Sequence, residues 1–156
     1  MDEEQTFLLN ILKDAINDVY NENRLLLKFE TQSLIGLEQA FAFRVGLHLF
    51  ERLKHTEYKV LDLDAEYNKS IGQSKMLEEF EDGIRPDLIL HERGNHINNK
   101  LAVEFKGYWN KLNEKDLRKL VGLTSPNGDY NYTLGVFVNI GESKATFRIY
   151  INGFEI

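Results

Sequence analysis

Arg85-Pro86-Asp87 enters one apolar run of this chain and Glu104-Phe105-Lys106 leaves the next, and that pairing restricts the fold more than any other feature. The runs, Asp87-Leu88-Ile89-Leu90 and Leu101-Ala102-Val103-Glu104-Phe105-Lys106, flank Gly94-Asn95-His96-Ile97-Asn98-Asn99, turn chemistry of the kind that closes an antiparallel hairpin. With the turn centred on Asn95-His96, Asp87 is expected directly opposite Glu104. Side chains alternate across a strand, so this register sorts Pro86, Leu88, Leu90, Leu101, Val103 and Phe105 onto one apolar face. Asp87, Ile89, Ala102, Glu104 and Lys106 fall on the other.

Opposed residues in such a pair hold their Cβ atoms roughly 4.5 to 5.5 Å apart, where two carboxylates repel unless a cation lies between them. A hard divalent ion such as Mg²⁺ takes one or two carboxylates, keeps several waters and completes its shell with phosphate oxygens. Glu-x-Lys by itself also arises from charges on the wet face of any strand, and Pro-Asp often marks a turn. Their combination on one hairpin face is what points to a metal site.

Two helices are expected before the hairpin. Phe7, Leu8, Ile11, Leu12, Ala15, Ile16 and Val19 recur at helical spacing behind an acidic first turn, which complements the helix dipole. Asn21-Glu22-Asn23 interrupts this helix, and Leu25 to Phe29 reads equally as a short strand or a helical turn. A second helix is expected from Ser33, a capping residue, to about Lys54. At about 100° per residue Glu38 falls within its stripe of Phe41, Ala42, Val45 and Leu49, pointing inward. A buried carboxylate needs a partner. A metal or Lys106 would serve, and a structural ion pair with Arg44 or Arg52 is the competing account.

Lys59 to Tyr67 alternates as a first core strand, with Glu66 at its exit either as an exposed polar residue or as an addition to the metal site. A charge-rich, partly helical connection follows from Asn68 to Gly83, whose Lys69 and Lys75 are either solvated or near a phosphate. Beyond the hairpin, Asn113 can cap a short helix through Val121, and Ser125-Pro126-Asn127-Gly128 forces a turn. Strands are expected over Tyr132 to Ile140 and Ala145 to Ile151. The fold class is therefore α/β, a mixed α+β sheet flanked by helices.

Asp87 followed by Glu104 and Lys106 across one apolar residue resembles the signature of the PD-(D/E)XK nuclease superfamily, the restriction-endonuclease-like phosphodiesterases. The similarity extends from about Ser33 to Gly141, through Glu66-Tyr67-Asn68 and Asp116-Leu117-Arg118-Lys119-Leu120. It implies a core of helix, three strands, helix and strand over about 33–151, here with an added N-terminal helix. It also implies that Asp87 and Glu104 bind Mg²⁺, or Mn²⁺ in its place, with the Phe105 backbone carbonyl, Glu38 and Glu66 as supplements. Asp87, Glu104, Lys106 and Glu38 are then the catalytic set, in which Lys106 orients water or meets developing charge. The implied activity is hydrolysis of nucleic acid, DNA ahead of RNA. The alternative is an inactive interaction module on the same scaffold, binding protein or nucleic acid. A homodimer is compatible with the resemblance, although no self-complementary surface is legible.

Length and composition set outer limits. The 156 residues, 42% of them apolar, suffice for a single domain spanning 1–156, with no linker or internal repeat. The absence of cysteine excludes disulfides, thiolate zinc sites and a Cys nucleophile. An acidic N-terminus and the lack of a bilayer-length apolar run lead to the expectation of a cytoplasmic protein with no membrane partner. The net charge of −6 is the wrong sign for a protein that coats phosphate backbones without specificity. Local basic groups could still steer a substrate: Lys111, Lys115 and Arg118 or Lys119 recur at helical spacing, with Tyr108 and Trp109 available for base stacking, although an exposed amphipathic helix and core aromatics are the plainer account. His48, His55, His91 and His96 show no zinc spacing; they read as surface residues, with His91 and His96 near the turn also able to assist substrate binding. No nucleophile elbow, phosphate-cradling glycine motif or dinucleotide fingerprint is present.

Overall fold

In the computed structural model, which describes residues 1–27, 37–70, 73–77, 80, 83–111 and 114–156, a capping box starts the first helix, α1 (Glu3–Glu22). The Gln5 N–H donates to the Asp2 carboxylate at 2.8 Å, and the Asp2 N–H donates to the Gln5 side chain at 2.9 Å. Its buried stripe is Leu8, Leu9, Ile11, Leu12, Ala15, Ile16 and Val19. Phe7, expected in that stripe, is instead largely exposed and stacks on Tyr58. Asn23 ends the helix, and the segment that read either way proves to be a 3-10 turn, Arg24–Leu27. Lys28 and Phe29 lie outside the described residues.

The second helix, α2 (Leu37–Leu53), ends within one residue of the expected Lys54 and buries Phe41, Ala42, Val45, Leu49 and Leu53. Ser33, its expected cap, lies outside the described residues, as does Asn113, the cap expected for the third helix. The first core strand is shorter than its alternating pattern suggests. Thr56 caps a 3-10 turn, Glu57–Val60, by accepting from the Tyr58 N–H, and only Asp62–Ala65 (β1) is extended. Tyr58 explains the difference, because its ring packs on Phe7 and its hydroxyl donates to Glu4 at 3.0 Å. Side-chain anchoring of this kind leaves no mark on an apolar alternation.

The connection after β1 was expected to be partly helical. Its described residues instead form a small antiparallel pair, β2 (Lys69–Ser70) with β3 (Gln73–Ser74). The hairpin then forms as β4 (Leu88–His91) and β5 (Leu101–Gly107), pairing Leu88 with Val103, Ile89 with Ala102 and Leu90 with Leu101. That register centres on Asn95-His96. Helix α3 (Glu114–Thr124) carries the chain over to β6 (Leu134–Ile140), which runs parallel to β5, since a parallel pair needs a crossover. Antiparallel β7 (Ala145–Ile151) and β8 (Phe154–Glu155), an edge strand with no warning in the sequence, complete the order β1-β4-β5-β6-β7-β8.

Helices α1 and α2 cover one face of this mixed sheet, packing on Leu88, Leu90, Leu101, Val103, Phe105 and the inward residues of β6. The other face is not simply wet: Ile89, Ala102 and Phe137 pack against Leu120 and Leu123 of α3 with Tyr130, Tyr132 and Tyr150. Both faces of the central strands are thus buried, except where the cleft described below opens. Among the described residues, no helix is long and apolar enough to cross a membrane.

Lys75 departs most from its expected place. It is not solvated but 1% exposed, its ammonium 5.2 Å from the Tyr130 ring centre and 5.6 Å from that of Tyr67. The tyrosine rings offer negative faces to the charge, yet burial pushes the Lys75 amine down to about 8 despite the nearby Asp64. His91, expected at the surface, is buried beside this cluster and bonds Asp64 at 2.9 Å, and Arg93 also grips Asp64.

Candidate active site

Continued one step beyond Leu88 and Val103, the β4–β5 register sets Asp87 abreast of Glu104 at the end of the sheet. Both line a cleft of about 520 Å³, together with Glu38, Gln39, Ala42 and Phe43 of α2, Ala65 and Glu66 at the end of β1, Phe105 and Lys106 of β5, and Asp116 and Lys119 of α3. Its walls carry five carboxylates and two ammonium groups, an excess of negative charge in a partly dry setting.

Each acid is held differently. The Asp87 carboxylate accepts from the Phe105 N–H at 2.7 Å. Burial pushes Asp87 up to about 6; that bond and Lys119 pull the other way, while Asp116 and Glu38 add repulsion. Glu104, 2% exposed, accepts from Lys119 at 2.7 Å through Oε2, and its Oε1 is buried without a hydrogen-bond partner. Burial first, and then the Asp87 charge, lift Glu104 well above the usual carboxylate range, with Lys119 offsetting only part.

Glu38 enters from α2, as its place in the helical stripe suggested, but it is only part-buried. Its Oε1 accepts from the Gly107 N–H at 2.6 Å and from the Asn110 amide at 2.8 Å. Of its expected partners, Lys106 stands 3.9 Å from Oε2, whereas Arg52 belongs to Asp18. Glu66 sits at the rim with a left-handed backbone, φ 48°, where it accepts from the Gln39 amide at 2.9 Å.

The two lysines divide the cleft. Lys106 lies 3.8 Å from Asp116 and 3.9 Å from Glu38, while Lys119 takes Glu104 and, at 3.1 Å, Asp116. Of the basic stripe expected for phosphate contacts, Lys111, Lys115 and Arg118 are exposed and Lys119 faces the cleft. Lys111 precedes α3, Lys115 and Arg118 are on its exposed side, and Lys119 turns inward. Burial works against the Lys119 charge, but Glu104 and Asp116 outweigh it and hold the ammonium above its ordinary value. Asp116 is the cleft residue that sequence reasoning passed over. Its signal was the i, i+3 spacing to Lys119, beside the inward Leu120.

The strand end beneath Glu38 is tightly fitted. A Cβ on Gly107 would run into the Trp109 indole, while the Gly107 N–H anchors Glu38. Gly107→Ala is expected to cost about 1–3 kcal/mol in a denaturant melt, because the indole must shift within a packed wall. Tyr108 is exposed and Trp109 half-buried against the core, so only the former is open to a stacking partner.

Among the described residues, no three His, Cys, Asp or Glu side chains stand together in a ready metal-ligating group. Comparison of the chain with protein-family models, curated proteins and solved structures finds no match.

Proposed function

We propose that this cleft is the active site of a Mg²⁺-dependent nuclease that hydrolyses phosphodiester bonds, in DNA more readily than in RNA. The observation that carries this reading is the buried, partnerless Oε1 of Glu104 beside a second raised carboxylate, Asp87. A buried acceptor with no donor costs stability, and a buried carboxylate whose proton affinity a neighbouring carboxylate raises further suits a shared cation. The donor set is all oxygen, as Mg²⁺ and Mn²⁺ prefer. Asp87 and Glu104 would hold the ion, with the Phe105 carbonyl, Glu38 and Glu66 able to add ligands or bind its waters. A divalent ion there supplies charge neutralisation at the phosphate and makes a bound water more acidic.

The protein's own part is placement. Asp87 is fixed by the Phe105 N–H and Glu38 by the Gly107 N–H, so neither must reorganise when substrate arrives. Lys106, bonded tightly to no single acid, is placed to orient a water or meet charge on the phosphate. The order α2, β1, β4, β5, α3, β6 supports the resemblance to restriction-endonuclease-like cores.

A second reading, an interaction module without turnover, draws on the acidic balance and on Phe43, Leu47 and Phe50, which leave an apolar stripe exposed along α2. Mn²⁺ titration by calorimetry and thermal shift, on the wild type and Asp87→Ala, tests the site. Stabilisation by the ion is expected in the wild type alone. Incubation with single- and double-stranded DNA and RNA, with and without Mg²⁺, then tests turnover. Ion binding with every substrate intact would leave the module reading standing.

A further inference from the structure

We propose that Lys119 is a resident counter-cation of the cleft: its ammonium neutralises Glu104 in the ion-free protein and gives Glu104 up when a divalent ion binds. The inference rests on the nuclease reading and names how its site is kept poised. Lys119 Nζ lies 2.7 Å from Glu104 and 3.1 Å from Asp116, and all three side chains are largely withdrawn from water. Among the described residues, Lys119 is the cation recorded in contact with Glu104. Lys106 reaches the same cleft but pairs there with Asp116 at 3.8 Å and Glu38 at 3.9 Å.

The arrangement is incomplete in a way that marks it as exchangeable. One ammonium donates to one oxygen of Glu104, and the other oxygen stays buried without a partner. Asp87 presses on the same carboxylate, and among the described residues the donor recorded to it is the Phe105 N–H. A single positive charge therefore answers only part of the local negative charge, where an ion of charge two would answer more. Lysine suits such a temporary role, since its charge sits at the end of a flexible stem with rotatable donors. Asp116, one helical turn away on α3, keeps hold of the ammonium when it lets Glu104 go. Lys119 thus competes with the incoming ion for Glu104, by contact and by like charge.

The test is calorimetric Mn²⁺ titration of the full chain, comparing wild type with Lys119→Met, Lys119→Gln and Lys119→Arg at one pH, with a thermal melt of each. The neutral variants are expected to bind Mn²⁺ at least about tenfold more tightly than wild type, and Lys119→Arg, which keeps the charge, within a few-fold of it. Without the ion the neutral variants should melt lower than wild type, and Mn²⁺ should raise their melting temperature by more. Lys119→Gln, which retains a donor toward Glu104, provides the comparison should Lys119→Met not fold. If wild type binds Mn²⁺ and the neutral variants bind it no better, Lys119 is not a competitor and the proposal falls. If none of the four binds Mn²⁺, the nuclease reading falls, and the proposal with it.

Discussion

Glu104→Gln is expected to lower phosphodiester cleavage by at least about a thousandfold while making the ion-free protein more stable by on the order of 1–3 kcal/mol. The two effects share one cause. Glu104 is buried, faces the Asp87 carboxylate and leaves Oε1 without a donor, so its pairing with Lys119 offsets only part of what its charge costs. The glutamine amide has the same shape, still offers Lys119 an acceptor and carries no charge for Asp87 to repel. It also removes the negative ligand that the proposed cation needs. Melting in the absence of divalent ions, Mn²⁺ calorimetry and a cleavage assay read the three consequences separately. Unchanged cleavage by the Gln variant would end the assignment of Glu104 to the reaction, and a large loss of stability would show the Lys119 pair to be net favourable.

The ion-free protein should also lose stability as pH rises from about 4.5 to about 7.5, and added Mn²⁺ should oppose that loss. Asp87 has its folded pKa pushed up to about 6 from an ordinary 3.8, so in that window the folded state binds more protons than the unfolded state. More protons bound in the native state means that unfolding becomes easier as protons are withdrawn. The contribution from Asp87 is on the order of 3 kcal/mol, present below its unfolded pKa and lost as pH passes about 6. Glu104, also raised, acts in the same direction. His91 acts against it, because burial holds its folded pKa down and favours the neutral ring as pH rises. Lys75, pushed down to about 8, adds stability only at the alkaline end. The Asp87 share is isolated by subtracting the profile of Asp87→Asn, whose amide oxygen can still accept from the Phe105 N–H. A difference that stays flat across the window would mean that Asp87 titrates as an ordinary carboxylate.

The hairpin was legible in the sequence because strand alternation and turn chemistry act together: a turn centred on Asn95-His96 allows one register, and the chain adopts it. Helices α1 and α2 were legible through their apolar stripes, and β7 through its alternation. What escaped notice depends on single side chains reaching across sequence. Thr56 and Tyr58 convert the start of an expected strand into a 3-10 turn. Lys75 and His91 are polar residues drawn inward by tyrosines and Asp64, against the ordinary tendency of their residue types to stay wet. At the cleft, the sequence brought forward Asp87, Glu104, Lys106, Glu38 and Glu66, all of which line it. It did not reveal that Lys119 turns toward Glu104, because a helical basic stripe looks the same whether a given lysine faces solvent or a buried acid. Only the docking angle of α3 separates those outcomes, and no local pattern specifies that angle.

The crossover through α3 has a temporal consequence. Strands β4 and β5 are neighbours in sequence, joined by residues 92–100, so their hairpin can close on about the microsecond scale, whereas α3 docks fully only against a sheet that includes β6. The nascent polypeptide therefore brings two anions face to face before the helix bearing their ammonium has a surface to settle on. A hairpin closed before α3 docks would hold Asp87 and Glu104 abreast in water, and docking of α3 both dries that pair and supplies the Lys119 ammonium that answers it.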